Sequence, residues 1–351
     1  MKTAVFLGAG ASAADGAPLQ TDLFREYFKS TQNVIDVDRI HSMQSTLTNF
    51  FSNMFGIDIR SDNLENILFP TFEEVLGILD LAEIRNENFR YYRIPNYEAE
   101  TQYDIRIIRV NLIILMASII KEKLINSTGA HRMLIRNLSI ADKLKDTVFV
   151  STNYDILIDN SLIEEARNSG INYGVDFVNK QDLVRNQRPK KTGVKLFKLH
   201  GSLNWLYCST CNTLRLTPFE KSFSEFVSTC NECSSFYSPI IIPPTYFKNM
   251  SNVFISQVWN NAENALKNVD NIIFCGYSFP DADIHIKYLL KRIEKNRSNL
   301  PPEIKVFNFH EGKSPEMKTA EKDRYKRFFG AKVIYEDISF EDFSENPVPY
   351  L

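Results

Sequence analysis

The sequence lacks any strong charge bias. Its 41 Lys and Arg stand against 43 Asp and Glu, a formal net charge of -2. So close a balance gives no global attraction to nucleic acid or to an anionic membrane surface. Long apolar runs are also missing. The longest, Asn111–Ile120, lies between Arg109 and Lys121. It falls far short of the roughly 20 residues of a membrane span and reads as a buried helix. The start of the chain shows no cleavable leader, because Thr3–Leu7 already has the pattern of a strand. Neither an internal repeat nor a low-complexity tract is present. Cysteine is scarce, with five residues, and four of them fall in two CxxC pairs. Without export signals, that pattern reads as metal binding rather than disulfides, and it predicts a cytoplasmic protein.

What is present is ordinary globular material. Hydrophobic residues are 44% and charged residues 24% of the 351, enough for a sizeable core. The length suggests two folded units, or one core with a large insertion. Thr3–Leu7 reads as a strand entering the turn Gly8–Ser12, and Leu23, Phe24, Tyr27 and Phe28 recur at helical spacing. From about residue 30 to 145 the pattern is helical. Val75, Ile78, Leu79, Ala82 and Ile84 make one stretch, opened by Thr71 and Glu74 in a capping-box pattern. Ile105, Ile108, Leu112, Leu115 and Ile119 make another, and Asn86–Thr101 between them reads as a loop.

Strands return at Thr147–Ser151, Lys195–Leu199, Asn271–Cys275, Lys305–Phe309 and Lys332–Tyr335, with an apolar run at Pro239–Pro244. Helices are expected at Tyr154–Ala166, Ser256–Leu266 and His285–Glu294. This alternation predicts an α/β fold with a Rossmann-like, doubly wound parallel sheet. Residues 1–30, 145–206 and 238–351 would form the core, 31–144 a helical insertion, and 207–237 a small four-cysteine ribbon.

Five segments carry candidate chemistry. Gly8-x-Gly10-x-x-Ala13, after a strand and before a helix, can bring backbone N–H groups to a pyrophosphate, or can be a plain glycine turn. No acidic residue ends a second strand to hold a ribose as in a dehydrogenase. Cys208-x-x-Cys211 and Cys230-x-x-Cys233, separated by 18 residues, can close a tetrahedral thiolate site. Four protein ligands leave no open position, so the zinc would be structural. Asn153 and Asp155 follow a strand and can face a ligand, although Asn153 could equally cap the next helix. His200, before Gly201, also follows a strand and can act as a base near neutral pH, although a lone histidine is often structural. Gly276-Tyr-Ser278 could cradle a phosphate, and Asp281 or Asp283 could be a helix cap. In a doubly wound sheet all these strand ends share one edge.

Taken in order, the segments resemble the sirtuin family. Gly8-Ala-Gly10-Ala-Ser12-Ala-Ala-Asp-Gly16-Ala-Pro18 is similar to its GAGxSxxxGIP loop, and Ser151-Thr-Asn153-Tyr-Asp155 to its TQNID segment. His200-Gly201 matches its HG motif, the four cysteines its zinc ribbon, and Gly276-Tyr-Ser278 its GTS turn. Asn308 resembles its adenosine-side asparagine. The resemblance implies NAD as substrate and a structural Zn2+. Gly8, Ala9, Gly10 and Ser12 would cradle the pyrophosphate, and Asp155 would hold the nicotinamide carboxamide. Asn153 would orient the nicotinamide ribose and a water, and His200 would act as base. Gly276, Ser278 and Asn308 would hold the adenosine half.

The departures also inform. Leu19-Gln20-Thr21 replaces the family's Asp-Phe-Arg after the loop proline. Pro239-Ile-Ile-Ile-Pro-Pro-Thr245 replaces the segment that clamps an acyl-lysine peptide. With the large helical insert, these features resemble the bacterial sirtuin-like proteins of antiphage defence, which hydrolyse NAD. The expected function is therefore an NAD hydrolase that depletes NAD in antiviral defence. A protein deacylase and an NAD-sensing binding module are the competing readings. Gating of such an activity implies a homo-oligomer and a separately encoded activator, such as the HerA-type ATPase or Argonaute of related systems.

Overall fold

The computed structural model describes residues 1–31, 38–60, 63–89, 105–124, 128–166, 169–179, 181–184, 187–217, 229–242, 252–310, 312 and 314–351. The chain opens with β1 (Thr3–Leu7), α1 (Ala9–Ala14), α2 (Leu23–Thr31), α3 (Asp38–Phe55), α4 (Phe72–Arg85), α5 (Ile105–Leu124) and α6 (Ala130–Ile140). It continues with β2 (Thr147–Ser151), α7 (Leu157–Glu165), β3 (Ile171–Asn172), β4 (Val194–Lys198), β5 (Gly201–Cys208), β6 (Thr213–Leu216) and β7 (Ser238–Ile241). The last elements are α8 (Val253–Leu266), β8 (Asn271–Cys275), α9 (Ile284–Lys295), β9 (Glu303–Phe307), α10 (Pro315–Phe329), β10 (Ile334–Glu336) and α11 (Phe340–Glu345).

Seven strands pair in the order β10-β9-β8-β1-β2-β4-β3, all parallel. This is the α/β sheet that the alternating pattern predicts. The central strands β1, β2 and β8 are buried at every residue, as strands covered on both faces must be. Their apolar runs were legible for that reason. β3 was not, because two residues carry no periodicity. β9 ends at Phe307, so Asn308 lies one residue beyond the strand that was expected to carry it.

The register aligns the strand ends. Leu7 lies opposite both Ser151 and Cys275, Cys275 opposite Phe307, Phe307 opposite Glu336, and Ser151 opposite Lys198. Six strands therefore finish on one line, and the loops after them rise from one edge. In open α/β sheets, ligands bind at this edge. A second, antiparallel sheet has the order β6-β5-β7 and carries the cysteine knuckles.

By internal contacts the chain divides into two compact units. One comprises Met1–Ala17, Asn126–Ile242 and Lys248–Leu351, and the other Pro18–Ile125 and Pro243–Phe247. The second unit is helical in its described residues. Its core is aromatic: the Phe24 and Phe51 rings lie 4.7 Å apart, and the Phe51 and Phe69 rings 5.6 Å apart, both edge to face. The capping box of α4 forms, with Glu74 N–H donating to Thr71 Oγ1 at 3.2 Å and Thr71 N–H to Glu74 Oε2 at 2.7 Å. The buried-helix reading of Asn111–Ile120 falls within α5, and no described helix is long and apolar enough to cross a membrane.

In the first unit, α6 starts at Gly129 with no capping side chain of its own. Asp15, 0% exposed at the end of α1, supplies the cap. Its carboxylate accepts from the N–H groups of Gly129 at 2.6 Å, Ala130 at 2.9 Å and His131 at 3.0 Å. It also bonds Thr128 Oγ1 at 2.9 Å and His131 Nδ1 at 2.5 Å. One carboxylate thus satisfies the donors that a helix start leaves open.

Candidate active site and metal centre

The glycine turn after β1 is packed against the turn after β8. Gly8 N–H donates to the Cys275 carbonyl at 3.0 Å and Gly10 N–H to the Gly276 carbonyl at 2.8 Å. A Cβ on Gly8 would stand 2.6 Å from Gly276 O, and one on Gly10 2.8 Å from Gly276 Cα. Gly276 itself has φ 61°, and a Cβ there would stand 2.1 Å from Ala11 N. The contact between the two turns therefore demands all three glycines, whatever binds above them. Ala9 is exposed at the start of α1, and Ser12 is buried.

On the other side of β1, Ser12 becomes the hinge of a polar cluster. Its hydroxyl donates to Asp155 Oδ2 at 2.6 Å. Asn153 Nδ2 donates to Ser12 Oγ at 2.7 Å and to the Gly8 carbonyl at 2.8 Å. A carbonyl can only accept, so the Asn153 amide nitrogen must face Gly8. Both its hydrogens are engaged, and Oδ1 is the atom that Asn153 offers to a ligand. The capping alternative does not hold. α7 begins at Leu157, whose N–H goes to Asp155 Oδ1 at 3.1 Å. Asn153 is thereby left to the cluster.

His200 is brought alongside. Leu199 N–H donates to the Ser151 carbonyl at 2.9 Å and Leu203 N–H to the Tyr154 carbonyl at 2.9 Å. The segment 199–203 thus runs along the loop that carries Asn153. The His200 ring is 2% exposed and its centroid lies 6.3 Å from that of Tyr154. The His200 carbonyl accepts from Ile242 N–H at 2.9 Å, and the Tyr154 hydroxyl donates to the Ile242 carbonyl at 2.9 Å. Gly201 has φ 82°, and a Cβ there would stand 2.0 Å from Ile240 O. The glycine of the HG pair is what lets β7 approach β5.

The other half of the edge holds Gly276, Ser278 and Asn308. Asn308 is 4% exposed, and its amide brackets one residue: Oδ1 accepts Tyr277 N–H at 3.1 Å and Nδ2 donates to the Tyr277 carbonyl at 2.9 Å. Nδ2 also donates to Glu321. Glu321 in turn accepts the Tyr335 hydroxyl at 2.6 Å. Burial, then the Glu321 carboxylate, push the Tyr335 phenol well up from its ordinary range, so it donates. Ser278 is exposed, and its carbonyl accepts from Arg324 Nε at 3.1 Å. Asp283 precedes α9 without a capping side-chain bond and takes the Tyr277 hydroxyl at 2.6 Å instead. Glu321 and Tyr335 escaped the sequence reading because they lie on α10 and β10, with no local motif around them.

The four cysteines converge. The Sγ atoms of Cys208, Cys211, Cys230 and Cys233 lie within 4.8 Å of one another. Cys208 Sγ is 3.4 Å from Cys233 Sγ, and Cys230 Sγ is 3.9 Å from Cys211 Sγ. Tetrahedral ligands about 2.3 Å from zinc would stand about 3.8 Å apart, so the set fits that ion. Each knuckle is closed by a residue with positive φ, Asn212 at 52° and Ser234 at 60°. Hydrogen bonds from Ser235 pull the Cys233 thiol down to about 6, whereas the Cys233 sulfur, followed by burial, pushes the Cys211 thiol up to about 12, so Cys233 ionises first in the set. Zinc here would cross-link β5 to the 229–236 turn and supply no group to the reaction. Cys275 is apart, buried on β8, and burial pushes its thiol well up, which makes it a packing residue.

A SIR2-like domain matches residues 147–334, more than half of the chain. The chain belongs to the SIR2-like family. This is a family of NAD-dependent enzymes. No curated protein sequence matches the chain. Among solved structures this SIR2-like chain is similar to Sir2Tm bound to a propionylated peptide, at 12% identity and TM-score 0.41, over 99% of this chain and 92% of that one. A complex described as Sir2, p53 peptide and NAD+ is similar at 14% identity and TM-score 0.41, over the same 99% and 92%. A third, from work on sirtuin substrate affinity, has 14% identity and TM-score 0.43, over 99% and 93%.

Proposed function

We propose that this chain is an NAD hydrolase, cleaving the nicotinamide N-glycosidic bond to give nicotinamide and ADP-ribose. The observation that carries the reading is the cluster Gly8, Ser12, Asn153 and Asp155, joined by hydrogen bonds beside the strand end that bears His200. Glycosidic cleavage passes through an oxocarbenium-like state, and water attacks from the opposite face. Nicotinamide leaves neutral, so no strong general acid is needed. The Asn153 Oδ1 accepts a hydrogen from the attacking water or the ribose. His200 takes a proton, directly or through a ribose hydroxyl, and such base work contributes typically about 10²–10⁴-fold. Asp155 is assigned to the nicotinamide carboxamide, and the loops at Ala9, Ser12, Gly276, Ser278 and Asn308 to the rest of the dinucleotide.

A protein deacylase would use the same core. Hydrolysis is favoured because the sequence Pro239–Thr245, of which Pro239–Ile242 lie among the described residues, lacks the peptide-clamping segment. The proposed biological setting is antiphage defence by NAD depletion, with activity gated by a partner. Nicotinamide release by the purified protein decides the chemistry. Asn153→Ala and His200→Ala are each expected to lower it at least about 10²-fold. Undiminished release in both variants would overturn the site, and one acyl transfer per nicotinamide with an acylated peptide would establish the deacylase.

A further inference from the structure

Beneath the loop of Asn153 and Asp155 lies a buried ion pair that the proposed reaction does not use. Lys198, the last residue of β4, is 0% exposed, and Asp159 on α7 is 1% exposed. Lys198 Nζ stands 3.3 Å from Asp159 Oδ2. The other oxygen, Oδ1, accepts the Tyr173 hydroxyl at 2.8 Å and lies 3.5 Å from Asn204 Nδ2. Burial and the adjacent carboxylate hold the Tyr173 phenol far above its ordinary range, so it serves as a donor. Lys198 Nζ has one more partner, the main-chain carbonyl of Asp155.

Stability alone does not account for this arrangement. Taking two charges out of water is costly, and an apolar pair of similar volume commonly serves a core as well or better. An apolar side chain, however, cannot bond the Asp155 carbonyl. That carbonyl belongs to the short connection between β2 and α7, outside either element. Lys198 is also two residues from His200 in sequence. Its ammonium thus joins the strand end that bears His200 to the loop that bears Asn153 and Asp155. Ser12 holds the same loop from the side of β1.

We propose that Lys198, oriented by Asp159, is a positioning residue that fixes the Asn153–Asp155 loop against the His200 strand end. The catalytic consequence rests on the reading of this site as NAD-cleaving. The ammonium touches no substrate; it sets the distance between two groups that do. A misplacement of about 1 Å at such groups can cost about 10²-fold in rate.

The test compares Lys198→Met with the double variant Lys198→Met, Asp159→Asn. The single change leaves Asp159 buried without its counter-charge and is expected to lower thermal stability strongly. The double change removes both charges, keeps an acceptor for Tyr173, and is expected to recover much of that stability. It does not restore the donor to Asp155. Two readouts follow from that difference. Backbone hydrogen exchange at Asn153 and Leu157 is expected to rise at least about 10-fold in the double variant, while the β2 amides keep their protection. The kcat for nicotinamide release is expected to fall about 10–100-fold. Loop exchange and kcat both at the wild-type level would overturn the proposal. Should the wild-type protein release no nicotinamide, the NAD-cleaving reading fails, and the exchange measurement alone decides the positioning role. Should the double variant not fold, Asp159→Asn alone tests the orientation of Lys198: it keeps the donor to Asp155 but removes the carboxylate that holds the ammonium in place. Faster exchange confined to the loop supports the role, and wild-type exchange with wild-type kcat overturns it.

Discussion

The Ser12 hydroxyl donates to the Asp155 carboxylate at 2.6 Å, joining α1 to the loop after β2 across 143 residues of sequence. Ser12 also accepts from the Asn153 amide, so one oxygen orders both side chains assigned to the nicotinamide half. Ser12→Ala removes a buried hydrogen bond to a charged group, worth about 1.5–3 kcal/mol. The variant is expected to lose at least about 10-fold in kcat/KM for NAD, with the Asn153 side chain held by the Gly8 carbonyl alone. Steady-state nicotinamide release checks this, beside a denaturation curve.

Gly201→Ala is expected to destabilise the protein by at least about 2 kcal/mol. The residue sits at φ 82°, a conformation that costs L side chains about 1–3 kcal/mol. The added carbon would also meet Ile240 O at 2.0 Å. Urea denaturation measures the effect; a change below 0.5 kcal/mol, on the order of an ordinary surface substitution, would contradict the close approach of β5 and β7.

One zinc per chain is expected by elemental analysis. Cys208→Ser or Cys230→Ser is expected to lower that content and expose the knuckles to proteolysis, with cuts confined to the segment around 208–237. A chelator strong enough to remove zinc is expected to give the same cuts. Full zinc content in both variants would remove these cysteines from the ligand set.

Asp15→Asn tests the cap of α6. The amide keeps one acceptor and turns an NH2 group toward the N–H donors of Gly129, Ala130 and His131. Orphaning buried donors costs about 1–3 kcal/mol. The measured loss of unfolding free energy is expected in that range. Exchange at the first turn of α6 is expected to accelerate more than at α7.

A pH-dependent contribution is expected from Glu263. Arg292 grips its carboxylate at 2.9 and 3.0 Å, Lys267 adds a contact at 2.7 Å, and the bonds from Arg292 hold its pKa below the ordinary 4.5. A carboxylate depressed in the folded state stabilises it above the unfolded pKa, and the benefit fades as pH falls through the folded one. Glu263→Gln is therefore expected to cost about 1 kcal/mol at pH 7. The two proteins are expected to converge as pH falls below 4.5 and through the lowered folded-state value, in denaturation curves taken across that range.

Much of the edge was legible because its parts are local. β1, β2 and β8 show as short apolar runs, since both faces of a central parallel strand are buried. Each is followed by polar or glycine residues where the backbone leaves the sheet. The capping box at Thr71 and Glu74 is a contact between neighbours, and so was readable from spacing. The two CxxC pairs gave their convergence away because a knuckle is itself a local turn.

What the sequence by itself determined is the set of strand ends and the residue types standing on them. The tertiary structure decided which of those residues meet. The placement of β1 between β2 and β8 set Gly8 against Gly276 and Ser12 against Asp155. The same register put Lys198 under Asp155, and Asp15 at the start of a helix more than a hundred residues away. None of these contacts has a sequence signature. A hydrogen bond or an ion pair depends on distance in space, and over long separations strand order and register, not spacing along the chain, set that distance.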